Sequence, residues 1–251
     1  MRITWHIDPD DIERVQVFLE SHRDSSLVRQ RIVANLATNK PAITKDVFWH
    51  YMVFCLLTTQ QRSGPTSSVA RFFEINPFPL SYRVCRQDMD LAEFARTTIS
   101  AFGGLRRSTI IGKEMVANLS FLNGDGWEHT CQYLDRVRLI SSPEAEREAA
   151  NFIDDHFKGF GPKQSRNLLQ ELGLSRYEIP IDSRITKWLN AFRFPLRLTA
   201  EALQDRNYYQ FISDGFQRLS AACDVYPCVL DAAIFSSFDK EDWAEQNAYG
   251  G

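Results

Sequence analysis

The sequence predicts an all-α fold. Apolar residues recur three or four positions apart along nearly every stretch between candidate turns, which is the spacing of a helix buried on one face. A strand, if there is one, is short and confined to residues 1–5. Apolar residues make up 44% of the 251 residues and charged residues 24%, so the chain can form a real hydrophobic core. The length suits either one large domain or two smaller ones.

Candidate helices follow one another along the chain. The first begins at Asp10 and turns an apolar face inward. Pro41 breaks the chain, and Thr44 then opens a long apolar helix. The Asn-Pro-Phe-Pro segment at 76–79 predicts a loop. The remaining helices are predicted over residues 26–37, 91–101, 105–119, 126–139 and 143–157, and about three more follow residue 182, the last over 226–238.

The most informative stretch predicts a helix, a tight hairpin and a second helix over about residues 145–173. Gly159 and Gly161 flank one apolar residue, Phe160, and both glycines can adopt backbone conformations closed to other residues. Pro162 stands where proline is favoured, at the start of a helix. Gly173 stands where glycine ends one.

The first turn of the second helix in this unit is suited to binding an anion. Its first N–H groups are free and lie at the positive end of the helix dipole, so they can hold a phosphate. Lys163 lies in that first turn. Nineteen residues further on, Asp182 follows Ile-Pro-Ile and is a natural N-cap for the next helix. Taken alone, Lys163 is more often a solvated surface charge and Asp182 simply a cap.

Together these residues resemble a family. Gly159-Phe160-Gly161-Pro162-Lys163, followed by Ile179-Pro180-Ile181-Asp182, is similar to the Gly-x-Gly-x-Lys and Pro-x-Asp segments of the helix-hairpin-helix DNA glycosylases. The Ile-Asp-Ser-Arg run without cluster cysteines is closest to the 8-oxoguanine branch. The match is specific over residues 145–190 and weaker over 55–75. The resemblance implies a bifunctional DNA glycosylase and AP lyase, with Lys163 as nucleophile and Asp182 as catalytic carboxylate.

The resemblance also implies an architecture and a partner. Residues 45–173 are expected to form a helical barrel domain that contains the helix-hairpin-helix. Residues 1–44 and 174–251 are expected to form a second helical domain, with the active-site cleft between the two. The expected partner is double-stranded DNA containing a damaged base, most simply 8-oxoguanine, bound by a monomer that flips the base out of the stack.

Further site residues follow from the same resemblance. Gln60 matches the amide residue that fills the space left by the flipped base, although a polar helix end explains it equally well. Arg62 is a candidate for phosphate or the opposite base. Asn167 lies one helical turn after Lys163 and so faces the base pocket or, alternatively, solvent. The hairpin residues and Arg166 are candidates for DNA contact, Phe238 and Trp243 for stacking on the base, and Phe235 for the core.

Charge and cysteine content narrow the alternatives. A net charge of −3 argues against a generally basic surface, so DNA would be held by backbone amides and a local cationic patch. The five cysteines have neither zinc nor iron–sulfur spacing, so we expect no catalytic metal and no cofactor. By resemblance alone, hairpin carbonyls can hold a monovalent cation. Free thiols, with no signal peptide and no membrane span, indicate a cytoplasmic protein, associated with the nucleoid in a bacterium or archaeon.

Two rival functions remain. An endonuclease III-like glycosylase for oxidised pyrimidines is disfavoured because the cluster cysteines are missing. A noncatalytic DNA-binding protein is the rival from another class, since helix-hairpin-helix units also serve as DNA clamps.

Overall fold

A computed structural model describes residues 4–87 and 90–238. In that part of the chain it has thirteen α-helices, one short 3-10 helix and no β-strand, which confirms the predicted all-α class. The chain divides into two compact units. The central unit spans residues 40–174, and the terminal unit combines the described residues before 40 with those after 174.

The central unit is built around one apolar helix. Thr44 caps it, since its hydroxyl accepts a hydrogen bond from the Val47 N–H at 3.3 Å. From Phe48 to Leu57 almost every side chain of this helix is buried, so its neighbours pack around all of its faces. The helices of this unit are α3 (Lys45–Leu57), α4 (Ser68–Phe73), α5 (Tyr82–Cys85), α6 (Leu91–Phe102), α7 (Ser108–Asn123), α8 (Gly126–Ile140), α9 (Pro143–His156) and α10 (Pro162–Glu171).

One helix of the central unit begins later than predicted. Helix α7 starts at Ser108 rather than at residue 105, because three residues before it have left-handed backbone. Gly103 and Gly104 have φ of 80° and 73°, and Arg107 has φ of 62°. A Cβ on Gly104 would lie 2.5 Å from the Ser68 Oγ, so any other residue at this position would clash unless Ser68 moved. The short helices α4 and α5 were not predicted.

The terminal unit joins the two ends of the described chain. Its main core includes Val15, Ile185, Tyr209 and Phe216, all essentially inaccessible to solvent. In the described residues no single helix is long and apolar enough to cross a bilayer; the last two helices reach that composition only as a pair bent by 96°. The elements are α1 (Pro9–His22), α2 (Ser26–Leu36), α11 (Ser183–Phe192), the 3-10 helix (Ala202–Gln204), α12 (Arg206–Ala222) and α13 (Pro227–Phe238).

Candidate functional site

The hairpin between α9 and α10 depends on one glycine. Gly159 has φ of +86°, and a Cβ there would lie 2.5 Å from Leu56 Cδ2 and 2.8 Å from the Glu114 carboxyl group. Gly161 is different. Its φ of −128° is open to any residue, and a Cβ there would meet no atom within 4 Å. The prediction that both glycines use conformations closed to other residues is therefore wrong for Gly161.

A buried amide on α7 holds the hairpin in place. The Asn118 Oδ1 accepts a hydrogen bond from the Lys158 N–H at 2.7 Å, and its Nδ2 donates to the Lys158 carbonyl at 3.0 Å. Asn118 is fully buried, so water does not compete for these bonds. The sequence gives no sign of this pairing, because the partners are forty residues apart.

Two predicted DNA contacts of this region point inward. The Phe160 side chain is 8% exposed and packs beside the Phe157 ring, so only its backbone is available to a phosphate. Arg166 is fully buried, and its Nη1 donates to the Pro162 carbonyl at 3.0 Å. The structure thus corrects the assignment of Arg166 to DNA binding, because its guanidinium lies inside the central unit.

Lys163 lies in the first turn of α10, as predicted, and its side chain is partly buried. Its Nζ donates to the Oε1 of the neighbouring Gln164 at 2.9 Å. The Gln164 Nε2 in turn donates to the Cys55 carbonyl and, at 2.6 Å, to the Thr59 Oγ1. The lysine is therefore connected through one amide to the end of α3, a link that the sequence does not predict.

Asn167 shares this region, one turn beyond Lys163. Its Nδ2 lies 3.3 Å from the Cys55 Sγ. Burial raises the pKa of the Cys55 thiol, the negative charge of Glu171 adds to this effect, and Lys163 and Asn167 oppose it. The structure thus brings Lys163, Asn167 and Cys55 together within the central unit, and the thiol stays protonated.

Asp182 begins α11 in the terminal unit. Its Oδ1 accepts hydrogen bonds from the backbone N–H groups of Arg184, at 2.7 Å, and Ile185, at 3.0 Å. Its Oδ2 pairs with the Arg184 Nη1 at 3.2 Å, and the guanidinium carbon of Arg184 lies 3.8 Å from the centre of the Phe235 ring. The carboxylate is thus an N-cap through its Oδ1, as predicted, and its Oδ2 is also bound by the Arg184 guanidinium.

The approach to Asp182 is fixed by a buried tyrosine of α12. The Tyr209 hydroxyl accepts from the Ile181 N–H at 2.7 Å and donates to the Ile179 carbonyl at 2.9 Å. It therefore bridges the residues on both sides of Pro180, whose own nitrogen cannot donate. The tyrosine was not among the predicted site residues.

The predicted amide and arginine after α3 are available to a ligand. Gln60 and Arg62 are both exposed, and Gln60 has a left-handed φ of 60°. Between them, Gln61 donates through its Nε2 to the Leu57 carbonyl and accepts from the Arg106 N–H at 3.0 Å. This side chain joins the end of α3 to the loop that precedes α7.

The predicted stacking residues lie at the end of the described chain. Phe238 ends α13 and is 43% exposed, while Trp243 lies outside the described residues. Phe235 is partly buried against a small core that contains Leu27 and Val229, in agreement with its assignment to the core.

Solved structures of 8-oxoguanine DNA glycosylases resemble the chain over most of its length. The Methanocaldococcus jannaschii 8-oxoguanine DNA glycosylase aligns over 92% of this chain and 94% of its own, with a TM-score of 0.67 and 18% identity. The M. jannaschii 8-oxoguanine glycosylase/lyase in complex with 15mer DNA containing 8-oxoguanine aligns over 92% of this chain and 100% of its own, with a TM-score of 0.68 and 16% identity. The 8-oxoguanine DNA glycosylase of Thermotoga maritima aligns over 93% of this chain and 98% of its own, with a TM-score of 0.63 and 13% identity. The chain has the fold of these 8-oxoguanine DNA glycosylases.

At these identities the similarity establishes the fold of the chain and not its substrate. No protein-family model matches the chain, and no curated protein sequence matches it. Within this glycosylase fold, no group of three or more histidine, cysteine, aspartate or glutamate side chains in residues 4–87 and 90–238 is placed to hold a metal ion. At the hairpin, the carbonyls of Lys158 and Gly161 accept hydrogen bonds from Asn118 and Ser165.

Proposed function

We propose that the chain is a bifunctional DNA glycosylase and AP lyase that excises oxidised purines, with 8-oxoguanine as its main substrate. The observation that carries the proposal is local: an amine and a carboxylate each begin a helix, Lys163 just after the glycine hairpin and Asp182 after Ile-Pro-Ile. The glycosylase fold supports it, and so does the 15mer DNA containing 8-oxoguanine that is bound by one structure of that fold.

The proposed reaction begins with the damaged nucleotide flipped out of the duplex, at a cost of a few kcal/mol. The neutral Lys163 amine attacks C1′ of the deoxyribose, a C–N bond forms, and the glycosidic bond breaks with its electron pair leaving on the base. Positive charge develops on the sugar in this step, and the Asp182 carboxylate stabilises it. The attacking nitrogen loses a proton, and the leaving base takes one up.

The lyase step follows from the same covalent bond. The sugar ring opens to give a Schiff base between C1′ and Lys163, which makes the C2′ proton acidic. Removal of that proton expels the 3′ phosphate by β-elimination, and hydrolysis then returns the free lysine. Asp182 is the proposed group for moving protons in these steps.

The DNA-binding surface proposed here combines backbone and side chains. The N–H groups at the start of α10 and of the hairpin hold a phosphate, while Gln60 occupies the space that the flipped base leaves. Arg62 adds a cation beside it. With a net charge of −3, the protein binds duplex DNA modestly as a monomer, and its affinity falls as salt rises.

Borohydride trapping tests the proposal, because it reduces a Schiff base to a stable covalent link. Wild type, Lys163→Gln and Lys187→Gln are incubated with duplexes carrying 8-oxoguanine, thymine glycol or an abasic site. Lys187 is an exposed lysine of α11 and serves as the matched control. We expect wild type and Lys187→Gln to be captured on 8-oxoguanine duplex, and Lys163→Gln to bind it without capture.

Other outcomes identify the rivals. Capture on thymine glycol in preference to 8-oxoguanine indicates a pyrimidine glycosylase. Binding of every duplex by wild type, with neither capture nor strand cleavage, indicates a noncatalytic DNA-binding protein. Equal capture of wild type and Lys163→Gln refutes the assignment of the nucleophile.

A further inference from the structure

The residue after Lys163 is unusual for the first turn of a helix. Gln164 is 7% exposed, and its side chain turns away from its own helix end towards α3. A glutamine at this third position commonly bonds back to the N-cap residue. Here its Oε1 instead accepts from the Lys163 Nζ at 2.9 Å. The amide therefore meets the amine of the proposed nucleophile directly.

The other end of the Gln164 amide is fixed by the last turn of α3. Because α3 ends at Leu57, no backbone N–H of the helix pairs with the Cys55 carbonyl. This carbonyl accepts from the Gln164 Nε2 and also from the hydroxyls of Thr58, at 2.9 Å, and Thr59, at 3.2 Å. The same Nε2 donates to the Thr59 Oγ1 at 2.6 Å. Donation from one end of an amide polarises its carbonyl, so the bond to Lys163 is strengthened.

On the proposed function, we infer that Gln164 is a positioning residue that holds the Lys163 amine at one place while leaving it free to lose its proton. A carboxylate at the same place would hold the amine equally well but would stabilise the ammonium form, which cannot attack. An amide carbonyl is neutral, so it orients the amine through one N–H without adding a negative charge. Gln164 acts through Lys163 and does not touch DNA.

Titratable groups of α3 and α10 lie in the region of Lys163. From α3, the Cys55 thiol feels the lysine charge, and burial keeps it protonated. From α10 itself, Glu171 lies two turns further on and acts electrostatically on both Cys55 and Tyr51. A carboxylate placed in contact with the Lys163 Nζ would favour the protonated form of the amine.

Single-turnover trapping on 8-oxoguanine duplex tests the inference with paired substitutions on one helix. Gln164→Met keeps the length and burial of the side chain but removes the acceptor, and Gln170→Met makes the same change at a second buried position of α10. We expect Gln164→Met to slow trapping roughly ten- to hundredfold. We expect Gln170→Met to lower Tm comparably but to trap at the wild-type rate.

Two further variants separate positioning from stability. Gln164→Glu supplies a charged acceptor, so we expect the pH at which trapping is half-maximal to rise by roughly one unit relative to wild type. Thr59→Val removes one anchor of the amide and leaves Gln164 in place, so it should slow trapping roughly two- to fivefold with little change in Tm. Gln164→Met is not expected to shift the pH profile in the same way.

The outcomes distinguish this inference from the function on which it rests. A wild type that forms no covalent link overturns both. A wild type that traps, with Gln164→Met as fast as Gln170→Met, overturns only the positioning role. The same holds if Gln164→Glu keeps the wild-type pH profile, because a carboxylate in contact with the amine must change its proton affinity.

Discussion

Replacing Gly159 by alanine tests whether the hairpin is built on one left-handed residue. At φ of +86° an L-residue brings its Cβ close to its own carbonyl oxygen, at a cost of about 1–2 kcal/mol. The new Cβ also meets Leu56 Cδ2 at 2.5 Å and the Glu114 carboxyl group at 2.8 Å. Leu56 is fully buried, so it cannot swing aside freely.

The two terms give the expected magnitude. Overpacking by one methyl group in a close-packed interior costs roughly 1–3 kcal/mol. Together with the backbone strain, Gly159→Ala should lower the free energy of unfolding by about 2–5 kcal/mol. For a chain of this size, each kcal/mol lowers Tm by roughly 2–4 °C. We therefore expect a Tm about 4–20 °C below that of wild type.

Gly161 supplies the control within the same hairpin. Its φ is ordinary and a Cβ there meets no atom, so Gly161→Ala should cost less than about 1 kcal/mol, through the loss of a favourable N-cap residue. Thermal unfolding followed by circular dichroism measures both variants. Equal Tm values for the two would refute the reasoning, because only Gly159 combines left-handed backbone with a filled Cβ position.

Two further predictions separate stability from activity and test a partly buried histidine. Asp182→Ala removes the cap of α11, so it should lose about 1 kcal/mol of stability together with nearly all excision activity. Asp205→Ala removes the cap of α12, so it should lose similar stability but keep the activity. Equal excision rates for the two variants would contradict a catalytic role of Asp182. Burial lowers the pKa of His50 below 6.5, so near and below that pH the native state binds fewer protons than the unfolded state. As the pH falls below 6.5, wild type should therefore lose up to about 1 kcal/mol more stability than His50→Gln. Substitution of the exposed His129 by Gln is the control. Denaturant unfolding at pH 7.5 and 5.5 measures the free energy of unfolding of each protein. Equal losses of stability in wild type, His50→Gln and His129→Gln would contradict the prediction.

Local signals predicted the fold and the two candidate groups. Helix positions follow from apolar spacing. Helix α10 begins at Pro162 and ends before Gly173, because proline is favoured at the first position of a helix and glycine just after its end. Asp182 caps α11 with two backbone hydrogen bonds, which its position after Pro180 indicated. These features depend on neighbours in the sequence, so the sequence carries them.

Features that depend on distant partners could not be predicted. The pairing of Asn118 with Lys158 and that of Gln164 with Cys55 join residues forty or more positions apart. The burial of Arg166 follows from packing around α10, since in the sequence alone an arginine in the first turns of a helix is usually solvated. Residues that hold the site were therefore missed more often than the groups they hold.

The two proposed catalytic groups are held in different ways, and each suits its task. Three donors engage the Asp182 carboxylate, two of them backbone N–H groups, so its position is fixed by α11 itself. A charge that stabilises a transition state must be fixed in this way, because any reorganisation would reduce the stabilisation. Lys163 has a long flexible side chain, and the contact with Gln164 orients its amine near the end of that chain. A nucleophile must be able to move by a bond length as it attacks, so an amide hydrogen bond that orients the amine without a charge is compatible with both the approach and the release of the lysine.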